Sequence, residues 1–200
     1  MENTRYEISS MTKDQLRSVL RKMLSGDMSR KQQAEKSKEA CQNLISTPEF
    51  QNASTIMMYL SIPDEADVTE AIISAWRLGK TVIVPKVFWR QKSMIPVRID
   101  SLETVPIEFA ASGLRNPADG AEVPFEDIDL VVAPGLGFDN KGNRLGRGGA
   151  YYDRFFANDK LKAKRCGFAF AEQLVDSVPV AATDQRMDFL VTDKQIMYFK

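Results

Sequence analysis

Apolar positions along the chain switch between two spacings, and each switch marks an element. Leu16, Val19, Leu20, Met23 and Leu24 recur at three- and four-residue intervals, the stripe of an amphipathic helix. Thr12 and Gln15 ahead of it make a capping box. Ser29 and Gln32 repeat that pattern for a second helix over about 30–46, which Pro48 ends. "STIMMYLS" (54–61) reads as a strand, "DVTEAIISAWRLGK" (67–80) as a capped helix closed by Gly79, and "TVIVPKV" (81–87) as the next strand. Together they predict a βαβ unit and hence a parallel sheet. "SMIPVRI" reads as a strand, and Pro106, Pro117 and Pro124 then break the pattern through 127. "DIDLVVAP" (127–134) is a buried strand that feeds a glycine-rich stretch; a helix from about Ala150, the strand "RCGFAFA", a loop and the strand "QIMYF" complete the chain. The order predicts a single α/β domain, 12–200, behind a loose tail, 1–11. Its sheet is mainly parallel and flanked by helices on both faces.

Composition narrows what such a domain does. Apolar residues make up 44% and charged residues 27%, and Lys+Arg and Asp+Glu are equal at 27. A balanced charge argues against a nucleic-acid or membrane-surface binder. No apolar run approaches the roughly 18 residues of a membrane span. The polar opening segment has no signal-peptide core, so a cytoplasmic protein is expected, a monomer or weak dimer. Cys41 and Cys166 are the only cysteines and lie far apart, which predicts buried, reduced thiols. Histidine is absent. Ser-His-Asp and Cys-His catalysis and histidine metal sites are therefore excluded, leaving carboxylates, Lys, Arg, Tyr, backbone amides or a hard metal ion.

The densest chemistry lies in "GLGFDNKGNRLGRGGAYYDR" (135–154), which holds six of the eleven glycines. It follows a strand and precedes a helix, where α/β sheets bind ligands. It is neither a Walker A loop, since Asn143 and Arg144 follow Gly142, nor a dinucleotide fingerprint, since "GRGGAY" lacks the third glycine. Bare amides at Gly146, Gly148 and Gly149 beside a helix N-terminus still suit phosphate oxygens, and Arg144 and Arg147 can pair with phosphate bidentately. A long turn with solvated arginines is the plainer reading of the same residues.

"PGLGFDNKGNRLGRGGAYYDRF" resembles the signature of the 5-formyltetrahydrofolate cyclo-ligase family, also called methenyltetrahydrofolate synthetases. "KDQLR" (13–17), "YLSIPDEADV" (59–68), "GFAFAEQLV" (167–175) and "ATDQRMDFLVTD" (182–193) resemble other family segments, in family order. The resemblance implies a sheet sandwiched by helices with the site at the strand ends. It implies ATP-dependent conversion of 5-formyltetrahydrofolate, with or without a polyglutamate tail, to 5,10-methenyltetrahydrofolate, with Mg²⁺. Lys13 and Arg17, four apart on one helix face, would contact ATP phosphates together with Arg144, Leu145, Gly146, Arg147, Gly148, Gly149, Ala150, Tyr151 and Tyr152. Glu65 would hold the pterin, with Leu60 lining its pocket and residues 147–151 bordering it. Arg147 and Tyr152 would serve catalysis, and Asp153 and Asp188 the metal.

Each residue also has a structural alternative: Lys13 and Arg17 as solvated charges, Glu65 as a helix-capping acid, the tyrosines as one buried and one exposed ring, Asp153 paired with Arg154, and Asp188 in a surface turn. The chain departs from the family at Asn116, where Glu is common, and at Thr183-Asp184, where His-Asp is frequent. It also lacks a tryptophan after Trp89. A nucleotide-binding paralogue without catalysis, or an ATP-dependent enzyme for another pterin-like substrate, are the alternatives.

Overall fold

The computed structural model describes residues 11–26, 28–103, 107–109 and 115–200. The helices are α1 (Lys13–Gly26), α2 (Arg30–Ser46), α3 (Pro48–Asn52), α4 (Thr69–Arg77) and α5 (Tyr151–Phe156). The strands are β1 (Thr55–Met57), β2 (Thr81–Phe88), β3 (Ser93–Arg98), β4 (Ile107–Phe109), β5 (Arg115–Pro117), β6 (Leu130–Pro134), β7 (Gly137–Phe138), β8 (Arg144–Leu145), β9 (Lys164–Phe168), β10 (Phe189–Val191) and β11 (Ile196–Tyr198). Residues 1–10 of the expected tail, Pro106, and Ser112 to Leu114 lie outside the described residues.

Both early capping boxes form. Thr12 N–H donates to Gln15 Oε1 at 2.8 Å, and Ser29 Oγ accepts from Gln32 N while the Gln32 side chain returns to Ser29 N. Leu16, Leu20 and Leu24 are buried as the stripe predicts, but Val19 is exposed. Pro48 ends α2 and also opens α3, with Thr47 capping it. At α4 the N-cap position is Val68, which makes no side-chain cap bond; Asp67 just before it accepts at Oδ1 from the backbone and hydroxyl of Thr69.

The main sheet runs β11-β10-β9-β6-β1-β2-β3. The five central strands are parallel, and β3 and β11 pair antiparallel at the two edges. Alternation along each strand sorts side chains into two cores. Ile56, Val82, Val84, Leu130, Val132, Phe189 and Val191 face α1 to α4. Met57, Ile83, Val131, Ala133 and Leu190 face Phe155 and Phe156 of α5. Helices thus cover both faces, as expected, though unequally. Strand β10 was read as loop; β4, β5 and the β7–β8 hairpin were also missed. All are two or three residues long, too short for period-2 patterning to register.

From β1 the chain passes through α4 to β2 on one side, then crosses back to β6 on the other. The carboxyl ends of β1 and β6 therefore diverge at a topological switch point, where open α/β sheets form a crevice. The glycine-rich stretch leaves β6 into that crevice and is pinned from three sides. The Gln173 side-chain amide donates to Gly135 O at 2.7 Å and to Leu136 O at 3.3 Å. From α1, Arg17 Nε donates to Gly146 O at 3.0 Å and Arg21 Nη2 to Arg147 O at 3.1 Å. Helix α1 approaches so closely that a Cβ on Gly137 would lie 2.7 Å from Leu20 Cδ1. The third anchor is Asp139, only 1% exposed. Its carboxylate accepts from the backbone N–H groups of Lys141, Asn143 and Val178 and from the Asn143 amide, at 2.9–3.0 Å.

Removing that acceptor strands buried donors, each costing about 1–3 kcal/mol. Asp139→Ala is expected to lower unfolding free energy by about 3 kcal/mol in urea titrations, and Asp139→Asn, which keeps one acceptor oxygen, by less. A loss under about 0.5 kcal/mol for the alanine variant would show that the hairpin holds without this carboxylate.

Candidate functional site

A cleft of about 330 Å³ opens at the carboxyl ends of the central strands. One wall is α1 and the loop, with Lys13, Arg17 and Arg144 through Asp153. The opposite wall comes from β1 and its loop (Tyr59, Leu60, Ile62, Glu65), from Pro85, Val87, Trp89 and Met94 of the β2–β3 hairpin, and from Arg115 of β5. Ala181, Thr183 and Asp184 close the rim.

The cations of the first wall are paired. Lys13 binds Asp184 in a short ion pair. Arg17 Nη1 meets Asp14 at 2.5 Å while its Nε holds the Gly146 carbonyl. Arg144 is 8% exposed. Its Nη1 donates to Pro134 O at 3.2 Å, its Nη2 meets Asp153 at 3.3 Å, and its guanidinium lies 5.2 Å over the Tyr152 ring. Arg147 reaches across the cleft, and its Nε meets Glu65 Oε1 at 3.1 Å. Gly148, at φ +111°, gives the turn that frees Arg147 to do so, in a region L-residues rarely adopt. Ala150 adopts φ +51° immediately before α5.

Three buried polar atoms have no partner among the described residues: Arg144 Nε, Arg147 Nη2 and Tyr152 Oη. Two are guanidinium donors and the third a hydroxyl that can donate. Orphaned buried donors call for an acceptor supplied from outside. Burial holds the Tyr152 phenol far above its ordinary value, so it stays a donor. Burial also raises the Glu65 carboxyl above its ordinary 4.5, opposed by the Arg147 charge and by hydrogen bonds from Ile62 N–H and Arg147. A cleft lined by donors on one wall and a poised carboxylate on the other suits a ligand pair, one anionic and one carrying N–H groups.

A sequence profile described as the 5-formyltetrahydrofolate cyclo-ligase family matches residues 9–193. The chain belongs to that family. Among cyclo-ligase relatives, the 5-formyltetrahydrofolate cyclo-ligase of Mus musculus is 31% identical over 156 residues, covering 74% of this chain and 77% of the relative. That of Escherichia coli strain K12 is 28% identical over 174 residues, covering 82% and 92%. The solved structure of Aquifex aeolicus 5,10-methenyltetrahydrofolate synthetase superposes with a TM-score of 0.79 at 31% identity, over 95% of this chain and 94% of that one.

For this cyclo-ligase family member, the structure brings every sequence-predicted site residue to the cleft except Asp188. Asp188 sits in the bend just before β10, where its Oδ2 accepts from Arg165 N–H at 2.7 Å. It is neither on the cleft wall nor in a surface turn; the second aspartate of the wall is Asp184. Asp153 pairs with Arg144 and accepts from Gln185 N–H. It does not pair with Arg154, whose side chain donates to Lys92 O and Gly149 O. The tyrosines do not split into one buried and one exposed ring, since both are partly buried. Tyr151 meets Trp89 edge-on at 6.2 Å and Tyr152 packs against Phe156 at 5.8 Å. The terminal nitrogens of Arg144, expected to fork onto phosphate, face Pro134 O and Asp153 instead.

Sequence reading missed Tyr59, Val87, Trp89, Met94 and Arg115 as lining residues. The departure at Asn116 has a structural counterpart: buried, it accepts from Val87 N at 2.7 Å and donates to Val87 O at 3.3 Å. A primary amide serves both backbone groups at once, which a carboxylate, lacking a donor, does not.

The Glu65–Arg147 pair yields a measurable consequence. Arg147 is the largest influence favouring the ionised carboxylate. In Arg147→Ala the Glu65 carboxyl is therefore expected to titrate still higher than in the parent protein, read by carbon NMR of labelled glutamate. A fall, or no change, would show that the pair is not formed in solution.

Proposed function

We propose that this protein is an ATP-dependent ligase that converts 5-formyltetrahydrofolate to 5,10-methenyltetrahydrofolate, with release of ADP and phosphate. The observation that carries the reading is the set of orphaned donors, Arg144 Nε, Arg147 Nη2 and Tyr152 Oη, on residues that line one cleft with the carboxylate of Glu65. A nucleotide-binding paralogue without catalysis has no use for the buried acid opposite the glycine loop.

The chemistry needs no histidine. The formamide oxygen is a poor leaving group. Transfer of the γ-phosphoryl group to it breaks the bond to ADP and forms an iminium phosphate. N10 of the same folate attacks the activated carbon, the C–O bond breaks, and the original formyl oxygen leaves in phosphate as N10 gives up its proton. The nucleophile belongs to the substrate, so the protein's part is to position reactants and stabilise charge. In our reading Arg147 Nη2 and Arg144 Nε donate to phosphoryl oxygens, and Tyr152 Oη donates to the oxygen that becomes the leaving group. Lys13 and Arg17 stand on the nucleotide wall, Arg17 also holding the loop carbonyl. Gly146, Gly148 and Gly149 offer backbone amides beside Leu145 and Ala150, and Tyr151 closes over the cleft. Glu65 accepts from pterin N–H groups, with Leu60 as the apolar floor.

Among the described residues no cluster of three metal-ligating side chains exists. Asp153 and Asp184 line the cleft singly, and this fits magnesium, which binds through one or two carboxylates plus phosphates and waters. When bound, the ion neutralises phosphate charge. In this reading Asp153 holds it, with Asp184 within the same wall.

The test is the appearance of methenyltetrahydrofolate absorbance with purified protein, ATP, Mg²⁺ and 5-formyltetrahydrofolate. Glu65→Gln is expected to raise the folate KM about tenfold or more, the worth of a charge-assisted hydrogen bond, with the ATP KM unchanged. Because the ionised carboxylate accepts the pterin donors, kcat/KM for folate falls as pH drops through the raised Glu65 value, above 4.5. The glutamine variant loses this acid limb. Equal losses toward ATP and folate would remove Glu65 from the folate site.

The carboxylates give a separate outcome. Asp153→Asn should raise the Mg²⁺ concentration needed for half-maximal rate, while Asp188→Asn keeps the parental Mg²⁺ curve. A shift in the Asp188 variant alone would move the ion to β10.

A further inference from the structure

Arg115 differs from the other cleft cations. Lys13, Arg17, Arg144 and Arg147 each have a carboxylate partner: Asp184, Asp14, Asp153 and Glu65. Arg115 lines the same cleft, half-buried, and its side chain has no hydrogen-bond or ion-pair partner among the described residues. A half-desolvated guanidinium facing a cavity is a recognition site for an anionic oxygen.

Its place in the fold identifies which anion. Arg115 starts β5, and the next residue, Asn116, bonds both backbone groups of Val87. That fixes Arg115 beside β2, whose Val87 lines the cleft with Trp89 and Met94. Trp89 is 43% exposed at the rim and meets Tyr151 edge-on. A ligand with its N–H-rich end at Glu65 lays a flat apolar middle along this wall and presents its other end toward Arg115. In a folate that end carries glutamate carboxylates.

We propose that Arg115 binds the glutamate carboxylate of the folate substrate and so sets preference for the length and charge of the tail; this rests on the folate reading above. The anion's two possible sources, tail carboxylate and nucleotide phosphate, separate in the test. The folate KM is measured for 5-formyltetrahydrofolate and for 5-formyltetrahydropteroate, which lacks glutamate, and the ATP KM alongside, in the parent protein, Arg115→Ala and Arg115→Lys. Tryptophan fluorescence titration gives the affinity of both compounds without turnover, and thermal melting checks that each variant folds.

The expected result is an approximately tenfold weaker hold on the glutamate compound in Arg115→Ala, an unchanged value for the pteroate, an unchanged ATP KM and partial recovery in Arg115→Lys. Equal weakening of both compounds would reduce Arg115 to a wall-positioning residue. A raised ATP KM would assign it to phosphate, and no change in any value would remove it from recognition. Parent protein that binds both compounds but makes no methenyl product overturns the catalytic reading alone. The two affinities in Arg115→Ala then decide this proposal. Absence of binding in the parent overturns both.

Discussion

A guanidinium buried at the end of the parallel sheet organises the site. Arg144 is 8% exposed, and a charge so removed from water requires partners on every side. It finds them in the last carbonyl of β6, in Asp153 of α5 and in the face of Tyr152. These belong to two other parts of the chain, β6 and α5, so one side chain of the hairpin ties the strand end, the hairpin and the short helix to one another. The loop between them is glycine-rich, and its backbone freedom opposes order. Arg144 from within, Gln173 from below, Asp139 at the turn and the arginines of α1 from above restrict it to one path. That path exposes the side chain of Arg147 and the amides around it.

With the scaffold held, three buried side-chain donors of the site and the half-buried guanidinium of Arg115 are left without a partner among the described residues. Glu65 and Arg147 neutralise each other across the cleft, though each is needed by a different ligand in the functional reading. In the functional reading, binding would exchange partners without leaving either charge uncompensated, pterin donors taking over Glu65 as phosphate takes over Arg147. Burial pushes the Glu65 carboxyl up while Arg147 pulls it down. In that reading the two ligands would be coupled through this pair, because removing either partner changes the charge that the other must bear.

How much of this was legible in the sequence follows from how local each signal is. Capping boxes, the stripe of α1 and the βαβ unit are set by neighbours within a few residues, and they formed as read. The alternation of Ile56-Met57, Val82-Ile83 and Leu130-Val131 reads as a plain apolar run, because both faces of a parallel sheet are buried, and only the structure assigns each residue to its core. Val19 belonged to the helical stripe by spacing yet faces water, since spacing does not tell where a neighbour stops. The glycine loop was visible as a stretch leaving a strand and entering a helix, but its hairpin was not, because Gln173 and the bond from Val178 to Asp139 act across tens of residues. Arg115 and Asn116 sit in a proline-broken stretch without periodicity, and their meaning depends on β5 docking on β2. Asp188 carried a family motif, but its carboxylate serves the β9–β10 junction.

The absence of histidine then reads as a consequence of the kind of chemistry such a cleft supports. A reaction whose nucleophile and electrophile both arrive with the substrates needs no group that cycles protons near neutrality. It needs fixed donors where negative charge develops, in a site with little water. Guanidinium groups remain charged through the whole physiological range, and a tyrosine raised by burial remains a donor throughout it. A wall made of Arg144, Arg147 and Tyr152 keeps its donors protonated, while burial raises the Glu65 carboxyl opposite above its ordinary value. In the functional reading, acidity would act on the recognition of one ligand and leave the guanidinium charges of Arg144 and Arg147 constant.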